Sequence, residues 1–137
     1  MNGHDIALGY KGLHEVKDTS QLRKLFTQAD ASINIDPSNA PWCAAFINAC
    51  EKLAGKNPPM KLNARSFLQY GAKIDLKNAK RGDIVIFSRG GSTWQGHVAY
   101  LDGIEPDGII RTLGGNQSDS VSIGWYRAER LLGVRRS

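Results

Sequence analysis

Hydrophobic positions in the first half of the chain recur at helical spacing. Leu22, Leu25, Phe26 and Ala29 fall at i, i+3, i+4 and i+7, which predicts an amphipathic helix within DTSQLRKLFTQAD, with Thr19 or Ser20 available as its cap. SINIDPSNAP follows, and Pro37 and Pro41 among turn formers make it a loop. A second helix is predicted in APWCAAFINACEKL. Pro41 suits its first turn, Ser38 or Asn39 can cap it, Phe46, Ala49, Cys50 and Leu53 repeat along one face, and Gly55 ends it. After the break KNPPM, a short helix is expected in NARSFLQYG, closed by Gly71.

Beyond Gly71 the period falls to two. GDIVIFS, GHVAYLDGI, GIIRTLGG and RLLGVRR each read as a strand, and SRGGSTWQG joins the first two as a hairpin connection. Helices followed by antiparallel strands is the α+β pattern. With 137 residues and no repeat, linker or low-complexity stretch, the expectation is a single domain over residues 1–137.

Composition narrows the class only a little. With 41% hydrophobic and 23% charged residues the chain has globular composition, and no apolar run approaches the roughly 20 residues of a membrane span. MNGHDIALGYKGLHEV lacks the basic start, apolar stretch and cleavage site of a signal peptide, so synthesis in the cytoplasm is expected. The net charge of +5 favours anionic partners. Arg127, Arg130, Arg135 and Arg136 thicken the C-terminus, but no basic stripe interleaved with aromatics marks a nucleic-acid module.

The candidate chemistry lies in the second helix. Its two cysteines, Cys43 and Cys50, are the only ones in the chain; seven helical residues hold their Cα atoms about 10 Å apart, too far to bridge. No CxxC or paired Cys/His spacing suggests structural zinc, so both are expected as free thiols. Cys50, in mid-helix, reads as core. Cys43 stands in the first turn, where free N–H groups and the helix dipole favour a thiolate. Of His4, His14 and His97, the first two read as surface residues, whereas His97 opens a strand. Alternation puts His97 with Ala99 and Leu101 on an apolar face, expected to be the face that a helix covers, where it would meet Cys43. Asn116, at the end of the next strand, is placed to accept the ring N–H and fix the tautomer. From spacing alone, packing and catalysis both remain open readings of this Cys-His-Asn set.

PWCAAFINAC, GDIVIFSRGG, GHVAYLDG and LGGNQSDSVSI, in that order and over nearly the whole chain, resemble the NlpC-like and CHAP-like cysteine amidohydrolase/peptidase superfamily. The likeness is to a compact group, found in bacteria and phage lysis enzymes, with WCA-x-F, GD-strand, GHV and GGNQ motifs. The resemblance implies a papain-like fold, with the nucleophile's helix packed on an antiparallel sheet that carries the histidine. It implies Cys43 as nucleophile, His97 as base and Asn116 as the orienting residue, with Gln117 and Asp119 as helpers. Many CHAP-type members carry an acid two positions before this Asn, where the chain has Gly114. The implied activity is cleavage of an amide bond in or at the peptidoglycan stem peptide, without metal or organic cofactor. The enzyme would be a monomer without a separate wall-binding module, acting on the cell wall as a phage endolysin.

Other residues have plainer alternatives. Trp42, Trp94 and Gln117 are candidate substrate contacts, against packing roles for the two tryptophans. Asp83 is expected at a turn or strand end, Trp125 and Tyr126 in the core or at its rim, and Asp36 and Asn39 in loop capping. Rival functions are a wall amidase delivered as an effector by a secretion machine, the same thiol chemistry used as a deamidase or transamidase, and a non-catalytic binder of peptide or polyanion.

Overall fold

The computed structural model describes residues 1–137. Three α-helices precede the sheet: α1 (Gly3–Leu8), α2 (Thr19–Ala29) and α3 (Cys43–Leu53). A 3-10 helix, Ala64–Gln69, stands where the short helix was expected. The strands are β1 (Ala72–Ile74), β2 (Ile84–Ser88), β3 (Gly96–Ile104), β4 (Ile110–Gln117), β5 (Ser120–Tyr126) and β6 (Leu131–Arg136), and they form one six-stranded sheet in the order β1-β6-β2-β3-β4-β5. All five pairings are antiparallel. The α+β expectation holds.

Both faces of the sheet are covered. Ile84, Ile86, Val98, Tyr100, Leu113 and Val121 pack with Leu22, Phe26 and most of α3 in the larger core. Val85, Phe87, Ala99, Leu101, Ile110 and Val134 form a second core on the opposite face. Val85↔Ala99 and Phe87↔His97 are register partners, so His97 belongs to this second face. The expected side of His97 is therefore corrected: alternation pairs it with Ala99 and Leu101 as read, but α3 lies on the other face.

A buried polar knot ties the helices to the sheet. Glu51, on α3, accepts hydrogen bonds from Tyr70 (2.8 Å) and from the fully buried Tyr100 on β3 (2.7 Å). Satisfying both phenol groups this way avoids leaving a buried donor unpaired, which costs about 1–3 kcal/mol each. His4 is buried beside this knot, its ring edge-on to Tyr100, and is not the surface residue expected. Asp83 meets its expectation as a strand-end residue, held by Arg136 at 2.7 Å.

Two close approaches set the position of α3. A Cβ on Gly115 would lie 2.6 Å from the Trp42 ring and 3.0 Å from Phe46, so only glycine lets β4 come this near the start of the helix. Trp42 is completely buried there, edge-on to Phe46, and its indole N–H donates to Glu15 at 3.0 Å. It is a core anchor; the expectation that it contacts substrate does not survive its burial.

Candidate active site

Cys43 is the first residue of α3, and the start of that helix is uncapped. The residue before it, Trp42, provides no side-chain hydrogen bond. Ser38 and Asn39, expected as caps, instead give their side-chain donors to Asp36 at 2.6 and 3.2 Å. The N–H groups of the first turn therefore remain free for the cysteine. Burial pushes the Cys43 thiol up from its ordinary pKa, while the N–H of Val98, the charge of Arg89 and the N–H groups of Ala44 and Cys43 pull it down. The Val98 amide ties the Cys43 thiol to the strand of the histidine, because Val98 follows His97 directly in β3. The helix start thus brings the thiol to the backbone at the first residues of β3, and not across the helix–sheet interface.

His97 is 1% exposed. Its Nε2 lies 2.8 Å from Oε1 of Gln117, and its Nδ1 is buried without a hydrogen-bond partner. The Gln117 amide is itself fixed. Its Nε2 donates to the carbonyl of Ser122 at 2.7 Å, and its Oε1 accepts from the Thr112 hydroxyl at 2.8 Å. A carbonyl can only accept, so the amide nitrogen must face Ser122 and the amide oxygen must face His97. That places the imidazole proton on Nε2 and leaves Nδ1 with a free lone pair. Tyr126 completes the ring's setting, stacked on it at 5.0 Å and 22°, and on Phe87 at 4.6 Å.

Asn116 does not orient the histidine. Gly114 pairs with Ser122 and Gln117 with Ser120, so Gly115 and Asn116 together oppose the single residue Val121. This β-bulge, with Asn116 at φ +59°, reverses the alternation of β4 and turns Gln117 toward His97. Asn116 faces a separate hollow of about 230 Å³ shared with Glu15, Ser38 and Asp119. Gln117 is buried, so its expected contact with substrate is replaced by the bond to His97. Space for its amide comes from Gly124, where a Cβ would sit 2.9 Å from Gln117 Cδ.

Cys43 opens on a cleft of about 330 Å³ lined also by Asn63, Leu62, Arg89 and Trp94. Trp94 is 70% exposed at its edge. A larger hollow of about 420 Å³, between Tyr10 and Gln28, contains no cysteine or histidine. Cys50 is fully buried in the core, and both cysteines are free thiols. His14 uses Nδ1 to accept the Val16 N–H, Trp125 is exposed, and neither touches the cleft. Arg89 lies within the GDIVIFSRGG motif, which assigns it no role, and Tyr126 and Thr112 lie outside the four motifs; their placement in the fold brings all three to the site.

The CHAP domain family model matches residues 35–116, which hold Cys43, His97 and the bulge. The chain belongs to the CHAP family. CHAP domains are in general cysteine-dependent amidohydrolases or peptidases of peptidoglycan. This CHAP domain is also similar in structure to an NlpC/P60 family protein from Bacillus cereus, with a TM-score of 0.52 and 23% identity, which shows a shared papain-like α+β fold. The match covers 69% of this chain and 30% of that protein, so the CHAP domain described here spans less than a third of that relative. No curated protein matches the sequence.

Burial lowers the His97 pKa from 6.5 to about 4; the Gln117 bond opposes this and the charges of Arg89 and Arg130 add to it. The resting pair is thus neutral thiol and neutral imidazole, and the acid limb of kcat/KM is expected near pH 4. Stability follows the same titration. Because the folded pKa lies below the unfolded one, the contribution is complete above about pH 6.5 and is lost as pH falls toward 4, where the unfolded chain takes a proton that the folded one refuses. The loss should reach about 3 kcal/mol between pH 7 and pH 4, and His4, shifted down chiefly by burial, adds to it. Urea unfolding across this range measures the slope; His97→Gln should flatten it, and an unchanged slope would contradict the assignment.

Proposed function

We propose that this chain is a peptidoglycan hydrolase that cleaves an amide bond in or at the stem peptide, with Cys43 as nucleophile, His97 as base and Gln117 as the group that holds the histidine. The observation that carries the reading is the pairing of an uncapped helix start at Cys43 with a buried histidine whose Nδ1 lone pair is free by the logic of its hydrogen bonds.

As Cys43 sulfur attacks the substrate carbonyl, its proton passes to His97 Nδ1 and the carbonyl electrons move onto oxygen. The backbone N–H of Cys43, unused by any cap, faces the developing oxyanion. Collapse of the tetrahedral species breaks the C–N bond, and the proton on Nδ1 goes to the leaving amine. Nδ1 then takes a proton from water, whose oxygen attacks the thioester; the products are a carboxylate and the restored thiol. Throughout, Nε2–H stays on Gln117, and the fixed amide prevents the ring from flipping.

The proposal extends to the setting, in which the protein acts on the cell wall as a phage endolysin. Its net charge of +5 would draw it to the anionic polymers of the wall. Mass spectrometry of purified peptidoglycan after incubation with the protein tests the reaction. The expected result is soluble fragments with one new amine and one new carboxylate at a single kind of amide bond. Intact peptidoglycan, or fragments cut between sugars, would refute it.

A further inference from the structure

We propose that Arg89 is a carboxylate-binding residue of the cleft, and that the preferred substrate carries a free carboxylate about one residue from the bond that Cys43 attacks. The proposal rests on the hydrolase reading and adds a substrate class to it.

Arg89 is the only charged residue among those that line the Cys43 cleft. It is exposed, and its guanidinium takes part in none of the ion pairs of the fold. The neighbouring arginines are committed elsewhere. Arg65 donates to the carbonyls of Gln95 and Ser92 at 2.7 and 2.8 Å, and Arg130 donates to the carbonyl of Ser88 at 2.8 Å while covering the Tyr126 ring. Arg89 thus offers all its donors to whatever enters, and a guanidinium fork matches the two oxygens of a carboxylate.

The loop that carries Arg89 is built to hold still. Residues 89–95 join β2 to β3, and the two Arg65 bonds clamp their far end. The Ser92 hydroxyl accepts from the N–H groups of Trp94 and Gln95 at 3.2 and 2.9 Å. A preorganised loop loses little entropy when it binds. Trp94 and the half-exposed Leu62 line the same cleft and give it apolar surface, which would strengthen an ion pair formed there.

Charge also gives the cleft a direction. Pro41 forms a wall common to the Arg89 cleft and the neighbouring hollow, where Glu15 and Asp119 are found. A carboxylate on the substrate is attracted to one side of the nucleophile and repelled from the other, which sets the direction in which a peptide lies.

The test uses two synthetic muropeptides that differ only at the second stem residue, D-glutamate with a free α-carboxylate or D-isoglutamine with a carboxamide there. This position adjoins or lies one residue from each amide between the sugar and the third residue. The wild type should prefer the carboxylate in kcat/KM by about 10–100-fold. In Arg89→Gln the ratio should fall to about one, chiefly through KM, and Arg89→Lys should lie between. Because Arg89 also acts on the thiol, the ratio is the readout and not the absolute rate. Equal turnover by the wild type, or a preference that survives in Arg89→Gln, overturns the proposal. Calorimetric binding of the same peptides to Cys43→Ala reads the ratio without any cleavage. A carboxylate preference in binding when the wild type cleaves neither peptide would sustain the subsite and sink the hydrolase reading; no preference in binding would sink the subsite.

Discussion

Cys43→Ala is expected to lower peptidoglycan cleavage by about 10⁴-fold or more, whereas Cys50→Ala should stay within about threefold of the wild type. The two residues share a helix and a side-chain chemistry, so position alone separates them. Cys43 has the free N–H groups of the first turn at its sulfur and the cleft before it. Cys50 is fully buried, and desolvation together with the adjacent Glu51 charge keeps its thiol protonated. Cys43→Ala removes one sulfur at the cleft edge and should leave the urea midpoint nearly unchanged. Cys50→Ala leaves a small void in the core and should cost about 1 kcal/mol. Release of new amine groups, read beside urea unfolding, separates the two effects. Comparable loss of activity in both variants, or full activity in Cys43→Ala, would remove the thiol from the mechanism.

The pattern of apolar positions was enough to place α2, α3, β2, β3, β4 and β6, because each carries a repeat long enough to stand above chance. The elements it left out are short or lack such a repeat. α1 has six residues, starts with a capping box of Asn2 and Asp5, and docks through contacts with α3 that no local pattern reveals. β5 mixes serine and glycine among its apolar residues, and its pairing depends on the turn at Ser118 and Asp119, both with positive φ. β1 has only three residues.

The site shows the same division. Cys43 was legible because a proline and a helix start are local features. His97 was legible in its alternation but not in its face. Residues 84–87 and 97–101 are buried on both sides of the sheet, so an uninterrupted apolar run cannot say which side the helix covers. Arg89 and Tyr126 come to the cleft and the histidine through strand order and loop path, which are properties of the whole fold.

Gln117→Ala is expected to reduce kcat by about 10²–10³-fold with little change in KM, and Asn116→Ala by less than about fivefold. Strict alternation along β4 would give the opposite result, since it sets Asn116 on the side of Thr112 and Gly114. The bulge decides between them: two residues of β4 oppose one of β5, and every side chain beyond it changes face. In Gln117→Ala the proton on His97 loses its acceptor, the Ser122 carbonyl loses its donor, the Thr112 hydroxyl is left with the Gly124 carbonyl at 3.2 Å, and the proton is free to move to Nδ1, where it blocks the base. Asn116→Ala loses instead the residue type that tolerates φ +59°, at a cost of about 1 kcal/mol in stability, and Asn116→Gly should recover it. Imidazole nitrogen shifts give a readout that simple destabilisation would not move. The wild type and Asn116→Ala should show a single tautomer protonated at Nε2, and Gln117→Ala a mixture. A large fall in kcat at Asn116 with a single tautomer retained in Gln117→Ala would return the orienting role to Asn116.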